Sequence, residues 1–272
     1  MRLTLLISIV CLLQTILKAQ QGHYTLGARS AGFASASVAI EDEWAIFNNP
    51  AGINKTESGT ALFGYRSRFA VAAFNTMGAA YLQPIGPIHL GMNAFRFGDH
   101  LFSEQKIGMV VANRIGMVAL GGAINYIQYN VEGLGTRDLA SFDFGGVVTF
   151  MEGLALGAFV SNLNQASVSK SEGEKLPTIM RLGLTYAPVS SVLINGEIEK
   201  DLDFDEVIKL GVEYNFYKQF YARTGFLTQP FQSSFGLGFR PRRYMIDYAF
   251  GHDPGLGSIH EFSVSYRLKM ER

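Results

Sequence analysis

Met180-Arg181-Leu182-Gly183-Leu184-Thr185-Tyr186, and after it Ile208-Lys209-Leu210-Gly211-Val212-Glu213-Tyr214-Asn215-Phe216, carry the pattern on which the fold turns. In both stretches every second residue is large and apolar, and those between are small, polar or charged. Successive side chains of a strand point to opposite faces, so each stretch is a strand with one apolar and one polar wall. Residues 192–198, 235–239 and 262–268 repeat the pattern.

Working outward, the alternation runs from residue 60 to 268, broken by turns into about fourteen strands, the even number expected of a transmembrane barrel. The reading places strands at 60–68, 77–84, 87–98, 105–114, 116–130, 140–151, 154–165, 178–188, 191–201, 206–218, 219–228, 233–241, 244–251 and 258–268. Connections then alternate in length. Turns such as 84–87, 114–116 and 241–243 are short, and segments such as 69–76, 131–139, 164–176 and 201–206 are longer. Tight periplasmic turns facing longer external loops are the arrangement of outer-membrane barrels. The fold class expected is therefore all-β, an antiparallel transmembrane β-barrel of about fourteen strands. Twelve strands is the alternative, because the first four alternate less cleanly.

The first segment reads as an export signal over 1–19. Arg2 supplies charge, 3–17 is almost wholly apolar, and Ala19 is small enough for cleavage. The apolar run is shorter than the roughly 20 residues a membrane helix needs. Cys11 lies within it, so the mature chain is expected to hold no thiol, disulfide or Cys-based metal site. Loss of Arg2 and Lys18 leaves 21 basic residues against 23 acidic ones, with no basic patch to suggest nucleic acid. The barrel proper is assigned to 60–272.

The faces follow from phase. Met180, Leu182, Leu184, Tyr186, Ile208, Leu210, Val212, Tyr214 and Phe216 are assigned to lipid. Arg181, Glu197, Glu199, Lys209, Glu213, Arg223, Arg240 and Asp247 are assigned to the lumen. A charge on the lipid side would cost about 2–4 kcal/mol at mid-depth, and the pattern avoids it. Folding neighbours about their turns brings together Arg181 with Glu197, Glu199 with Lys209, Glu213 with Arg223 and Arg240 with Asp247. Such a network either lines a selective pore or fills the lumen as paired buried charge, and the second reading is preferred. Phe95 and Phe97 are the exception. They share phase with His89 and Asn93, so either a bulge intervenes or aromatics face inward.

Residues 20–59 do not alternate. A small-residue run at 27–39 is followed by Glu41-Asp42-Glu43-Trp44 and then Asn48-Asn49-Pro50-Ala51-Gly52. Small residues let backbone lie close against a wall. A short helix at about 41–47, stopped by Asn49-Pro50, suits a hatch or plug inside the barrel.

On these residues the chain resembles the PorV/PorQ family, itself similar to FadL-type outer-membrane transporters. The likeness is carried by Gly27-x-Arg29, the acidic 41–43 and Asn49-Pro50-Ala51-Gly52. At the far end it is carried by Phe235-Gly236-Leu237-Gly238-Phe239, Asp247-Tyr248-Ala249-Phe250 and His260-Glu261-Phe262-Ser263. The resemblance implies a fourteen-stranded barrel with an N-terminal hatch and a non-enzymatic part in type IX secretion or surface attachment. Partners would then be outer-membrane lipid and other secretion-system or surface proteins. The brief external loops remove much of the surface such proteins use to grip cargo. The alternative is a FadL-like conduit for hydrophobic small molecules, which the polar inward positions of the later strands count against.

Gly236-x-Gly238 lacks the helix of a phosphate loop. The histidines show no ligand spacing. Asp201, Asp203 and Asp205 form the one weak metal candidate, but their loop lacks the glycine and spacing of a calcium loop, and a solvated acidic loop is expected. No cofactor and no catalytic arrangement is expected.

Overall fold

The computed structural model describes residues 24–168 and 175–268. The expected export signal lies outside the described residues. Fourteen strands form one closed antiparallel barrel. They are β1 (Thr60–Arg68), β2 (Thr76–Ile85), β3 (Ile88–Gly98), β4 (Phe102–Ile115), β5 (Val118–Val131), β6 (Gly135–Met151), β7 (Leu154–Val160), β8 (Ile179–Val189), β9 (Val192–Asp201), β10 (Val207–Tyr217), β11 (Phe220–Thr228), β12 (Phe231–Phe239), β13 (Tyr244–Asp253) and β14 (Gly257–Arg267). Each strand pairs with its sequence neighbours, and β1 closes on β14 from Thr60↔Arg267 to Arg68↔Ile259. The count is fourteen, not twelve. The early strands that alternate less cleanly by residue type alternate as strictly in burial as the later ones.

Faces follow the phase of the sequence: Leu182, Leu184, Ile208, Leu210 and Tyr214 are exposed outward, while Arg181, Glu197, Lys209 and Glu213 are buried inward. The outward wall holds one charge in β3, Arg96, two residues from its loop end. Connection lengths differ from expectation. β4 and β6 begin earlier, so the loops after β3 and β5 shrink to 99–101 and 132–134. The ladder Gln128↔Asp138 to Val131↔Gly135 continues through polar residues, because backbone pairing needs no apolar side chain. β7 stops at Val160 instead of 165, since Asn162 takes a positive φ of 54° that ends the strand. The broad connections that remain are 69–75, 161–178 and 202–206, all at the end opposite the hairpin turns 86–87, 116–117, 152–153, 190–191 and 218–219.

Inside lies the hatch. It comprises a helical turn at Ala28–Ala31, a second at Ala45–Asn48 and a 3-10 helix at Pro50–Lys55. The helix expected at 41–47 starts later, because Asp42 Oδ1 accepts from Trp44 N at 2.9 Å and Ala45 N at 3.1 Å, holding 41–44 as a turn. Asn49-Pro50 does more than stop it. Asn49 Oδ1 accepts from Ala51 N at 3.1 Å, and Pro50 opens the 3-10 helix at a position where it loses no hydrogen bond. The largest buried apolar cluster joins hatch to wall, packing Leu26, Trp44, Phe47 and Ile53 against Leu62, Leu82, Phe95 and Val110.

Candidate functional site

The hatch lies on a belt of inward glycines. Four cross-strand pairs, Gly64↔Gly78, Gly121↔Gly145, Gly157↔Gly183 and Gly211↔Gly225, each sit directly under hatch atoms. A methyl group on Gly121 would stand 2.5 Å from Ala51 N and from the Pro50 carbonyl carbon. One on Gly211 would stand 2.7 Å from Phe33 Cβ. At Gly145 the Cβ position is taken by Asn49 Oδ1, and at Gly157 by the Val38 carbonyl. The wall has been cleared of side chains where backbone must touch it.

The residues singled out in the hatch sit at these contacts. Trp44, 1% exposed, donates Nε1–H to Ser265 Oγ at 2.9 Å. Asn48 donates to the Trp44 carbonyl at 3.0 Å, and Asn49 Nδ2 donates to the Val38 carbonyl at 2.6 Å. Gly52 lets the chain fold back, since a Cβ there would stand 2.6 Å from both Ala45 Cβ and the Ile40 carbonyl.

The inward charges meet, with partners partly different from those expected. Glu213 and Arg223 are directly opposite, 2.6 Å apart. Arg181 faces Glu199 (2.8 Å) and only reaches Glu197 at 4.0 Å, while Lys209 faces Glu197 at 3.0 Å and also holds Glu199 at 2.6 Å. The β8–β9 turn falls at 190–191, later than the 188–190 expected, and a bulge between Tyr186 and Val189 takes back one residue, so the pairing of Arg181 moves by two residues along β9 and stays on the same face. Asp247 takes Arg223 at 2.6 Å. Arg240, beyond the end of β12, stands 4.0 Å from Asp247 and from Glu213.

Several of these carboxylates also hold the hatch. Glu213 binds Arg29 at 2.7 Å, Glu197 accepts from Ser37 N and Val38 N at 2.8 Å each, and Glu261 accepts from Gly27 N at 2.6 Å. Sequence reasoning missed this second role. Nothing local links Arg29 to a residue 184 positions away. The network is thus a tether as well as a filler of the lumen.

At the hairpin-turn end, Glu41 accepts from Arg114, from Asn54 (2.9 Å) and from Lys55 (2.7 Å). Burial pushes its carboxyl up, but the hydrogen bonds from Lys55 and Asn54 and the charges of Lys55 and Arg114 outweigh that and hold it below the usual range. Glu43, buried beside Asp42, is raised instead, by burial first and then by that neighbouring charge. Glu41→Gln is expected to cost about 1.5–3 kcal/mol near neutral pH, the worth of hydrogen bonds to a charged group. Because the folded value is depressed, that contribution is complete above the ordinary carboxylate range and disappears as pH falls through the depressed value. Urea unfolding of both proteins should therefore converge in strongly acid solution. A gap that persists there would refute the assignment.

The opposite side of the lumen, from β1 to β5, is aromatic. Register is continuous along β3, so no bulge turns Phe95 or Phe97 away, and Phe95 is 5% exposed inside. From the loop end inward, Phe69, Phe74, Phe97, Phe102 and Tyr129 follow one another at centroid spacings of 6.4, 6.5, 6.4 and 6.2 Å. The Tyr129 hydroxyl meets that of Tyr24 at 3.2 Å, and the Tyr24 ring meets Phe95 at 5.4 Å. Lys106 Nζ lies 4.3 Å over the Tyr24 ring, and Glu104 accepts from the Tyr24 hydroxyl. A cavity of about 280 Å³ opens at the loop end above the hatch, mostly on the β9–β14 side, where Lys209, Leu227, Gln232, Asp253 and Ile259 help to line it, and it reaches the aromatic series only at Phe69. Below the outward rim, Ala79 and Ala94, opposite each other in register, floor a hollow of about 400 Å³ flanked by Phe63, Met77, Ile107 and Tyr126.

In the acidic 201–206 segment, 202–206 form a largely exposed connection and only Asp201 departs from the solvated loop expected. Asp201 closes β9, is 3% exposed, and accepts from Asp203 N at 3.1 Å, while the side chains of Asp203 and Asp205 lie exposed. Among the described residues no group of three or more ligating side chains is placed to hold a metal.

No family model and no curated protein matches the chain. Solved structures do. The CymD monoaromatic hydrocarbon channel matches at 10% identity and TM-score 0.68, over 93% of this chain and 100% of that one. A Pseudomonas aeruginosa FadL homologue matches at 12% identity and TM-score 0.66, over 90% and 99%. The Pseudomonas putida toluene transporter TodX matches at 10% and 0.66, over 91% and 98%. At these identities the TM-scores show a shared fold and nothing more, that of FadL-like outer-membrane barrels.

Proposed function

We propose that the protein is an outer-membrane barrel that admits small apolar molecules from the loop side, in the manner of a FadL-like channel. The observation that carries this reading is the aromatic track from Phe69 to Tyr24 and Phe95, which leads from the loop rim to the start of the described hatch. Successive rings offer a solute arriving at the loop end a series of apolar contacts that leads toward buried Phe95. The fold-level likeness to monoaromatic hydrocarbon channels supports the same chemical class. The charged half, β8 to β14, then holds the hatch in place while the aromatic half conducts.

The test is uptake of labelled toluene by cells whose own apolar-solute channels have been deleted. Cells carrying this chain are expected to take it up faster than cells with an empty vector. Phe102→Asp, in the middle of the track, should return uptake to the vector level while the barrel still assembles. Uptake at the vector level with the unaltered chain would refute the proposal.

The second reading, a component of type IX secretion or surface attachment, is favoured by the filled, ion-paired half of the lumen and the pinned hatch. It predicts co-purification with secretion or surface proteins after mild detergent extraction. Mass spectrometry that finds none of them would remove it. Under neither reading is a nucleic acid or a cofactor involved.

A further inference from the structure

The hairpin turns of the two halves of the barrel carry different charge. Along β8 to β14 they bear Lys218, Arg242 and Arg243, with Arg267 at the end of β14. No acidic residue occurs at 187–193, 215–221, 239–245 or 265–268. Lys218, Arg242 and Arg243 are exposed, whereas Arg267 turns its guanidinium to the buried Met245 Sδ at 3.5 Å and stands apart from them. The turns form one continuous rim, since Arg240 N donates to the Gln219 carbonyl and Arg267 N to the Arg243 carbonyl, both at 2.9 Å. The side chains of Lys218, Arg242 and Arg243 make no ion pair and no hydrogen bond among the described residues. In the other half, the β4–β5 and β6–β7 turns present Arg114, already bound to Glu41, and the acidic Glu152.

Immediately beside these cations the outward wall is aromatic. Phe216, Phe220 and Phe239 contact in series at 6.2 and 4.8 Å, Tyr244 meets Tyr266 at 5.0 Å, and Lys218 Nζ stands 5.2 Å over the Tyr217 ring. Aromatic rings at strand ends mark the depth of lipid headgroups. The unpaired cations therefore lie at the level of lipid phosphates, on one side of the barrel only.

We propose that this sector binds anionic phospholipid headgroups of the leaflet on the hairpin-turn side, holding a patch of anionic lipid against β10 to β14. An acidic protein segment would also satisfy the charge. The adjoining girdle, which sets the cations at phosphate depth, favours lipid. The consequence goes beyond passage of a solute, since it gives the barrel a preferred lipid neighbour.

Native mass spectrometry of the full barrel, loaded with phosphatidylglycerol and phosphatidylcholine together, tests it. The unaltered protein is expected to retain phosphatidylglycerol preferentially. A cation near an anionic surface strengthens binding about fivefold, so Arg242→Gln with Arg243→Gln should lower that preference about 25-fold. Phosphatidylcholine retention and the heat-dependent gel mobility of the folded barrel should not change. Arg96→Gln, at the opposite rim, is the matched control and should leave the preference intact. Equal retention of both lipids by the unaltered protein overturns the proposal, as does an undiminished preference in the double variant or an equal loss with Arg96→Gln. It is also overturned if the double variant keeps its phosphatidylglycerol but loses a cross-linked protein, which would assign the surface to that partner.

Discussion

Gly121→Val is expected to drive the hatch off the wall while leaving the barrel closed. The first added carbon would stand 2.5 Å from Ala51 N and from the Pro50 carbonyl carbon. Both are backbone atoms of the 3-10 helix, which cannot swing aside as a side chain can. Overpacking a tight site costs about 1–3 kcal/mol, and two further methyl carbons at a backbone contact put this variant at the upper end. The strand itself loses nothing, since valine is a better strand former than glycine. The signature is therefore divided: protease should cut near Pro50–Lys55 in the variant and not in the parent, whereas the folded barrel should keep its gel mobility. Gly146→Ala supplies the comparison, because its Cβ finds nothing closer than 3.4 Å. Equal protection of Gly121→Val and the parent would show that the hatch does not depend on the glycine belt.

Glu213→Leu should be more damaging still. Glu213 holds Arg29 at 2.7 Å and Arg223 at 2.6 Å, with Arg240 at 4.0 Å. Removing it leaves three guanidinium groups facing one another with only Asp247 and Asp42 to balance them. Removing one member of a buried ion pair costs about 3–5 kcal/mol, mostly from the partner left uncompensated. The double variant Glu213→Leu with Arg223→Leu should recover a large part of that loss, because one of the stranded charges goes with it. Chemical unfolding of the four proteins in the resulting cycle measures the coupling. A coupling near zero would mean that the lumen is wet enough to screen these charges and that the network is not a tether.

The wall was legible because its rule is local. Period two along 180–186 and 208–216 sets which side chains face lipid, and the hairpin β10–β11 then forces Glu213 against Arg223. The rule failed by two residues at β8–β9, where neither the later turn at 190–191 nor the bulge before Val189 has a signal in the sequence, so Arg181 met Glu199 instead of Glu197. It also left Phe95 undecided, since phase pointed the ring inward and composition pointed it outward, and phase prevailed. The hatch was legible only as something that must pack. Its small residues and Asn49-Pro50 announce close approach, but not that Asn49 would fill the space above Gly145 or that Arg29 would reach Glu213. Contacts between distant segments follow no period, and one sequence contains no record of them.

The seam between β1 and β14 joins Thr60 to Arg267, so the ring cannot exist until the last strand has been delivered. The hatch, nearer the beginning of the chain, binds residues of that same last strand: Gly27 N to Glu261 and Trp44 Nε1 to Ser265. A ring already closed would have to be threaded. A sheet still open can curl around a segment already lying on it, with the glycine pairs as its bed. The final strand is therefore at once the zip of the cylinder and an anchor of its contents. Contacts of such long sequence separation make this closing step slow. Shortening the chain by that one strand should forfeit enclosure and hatch together.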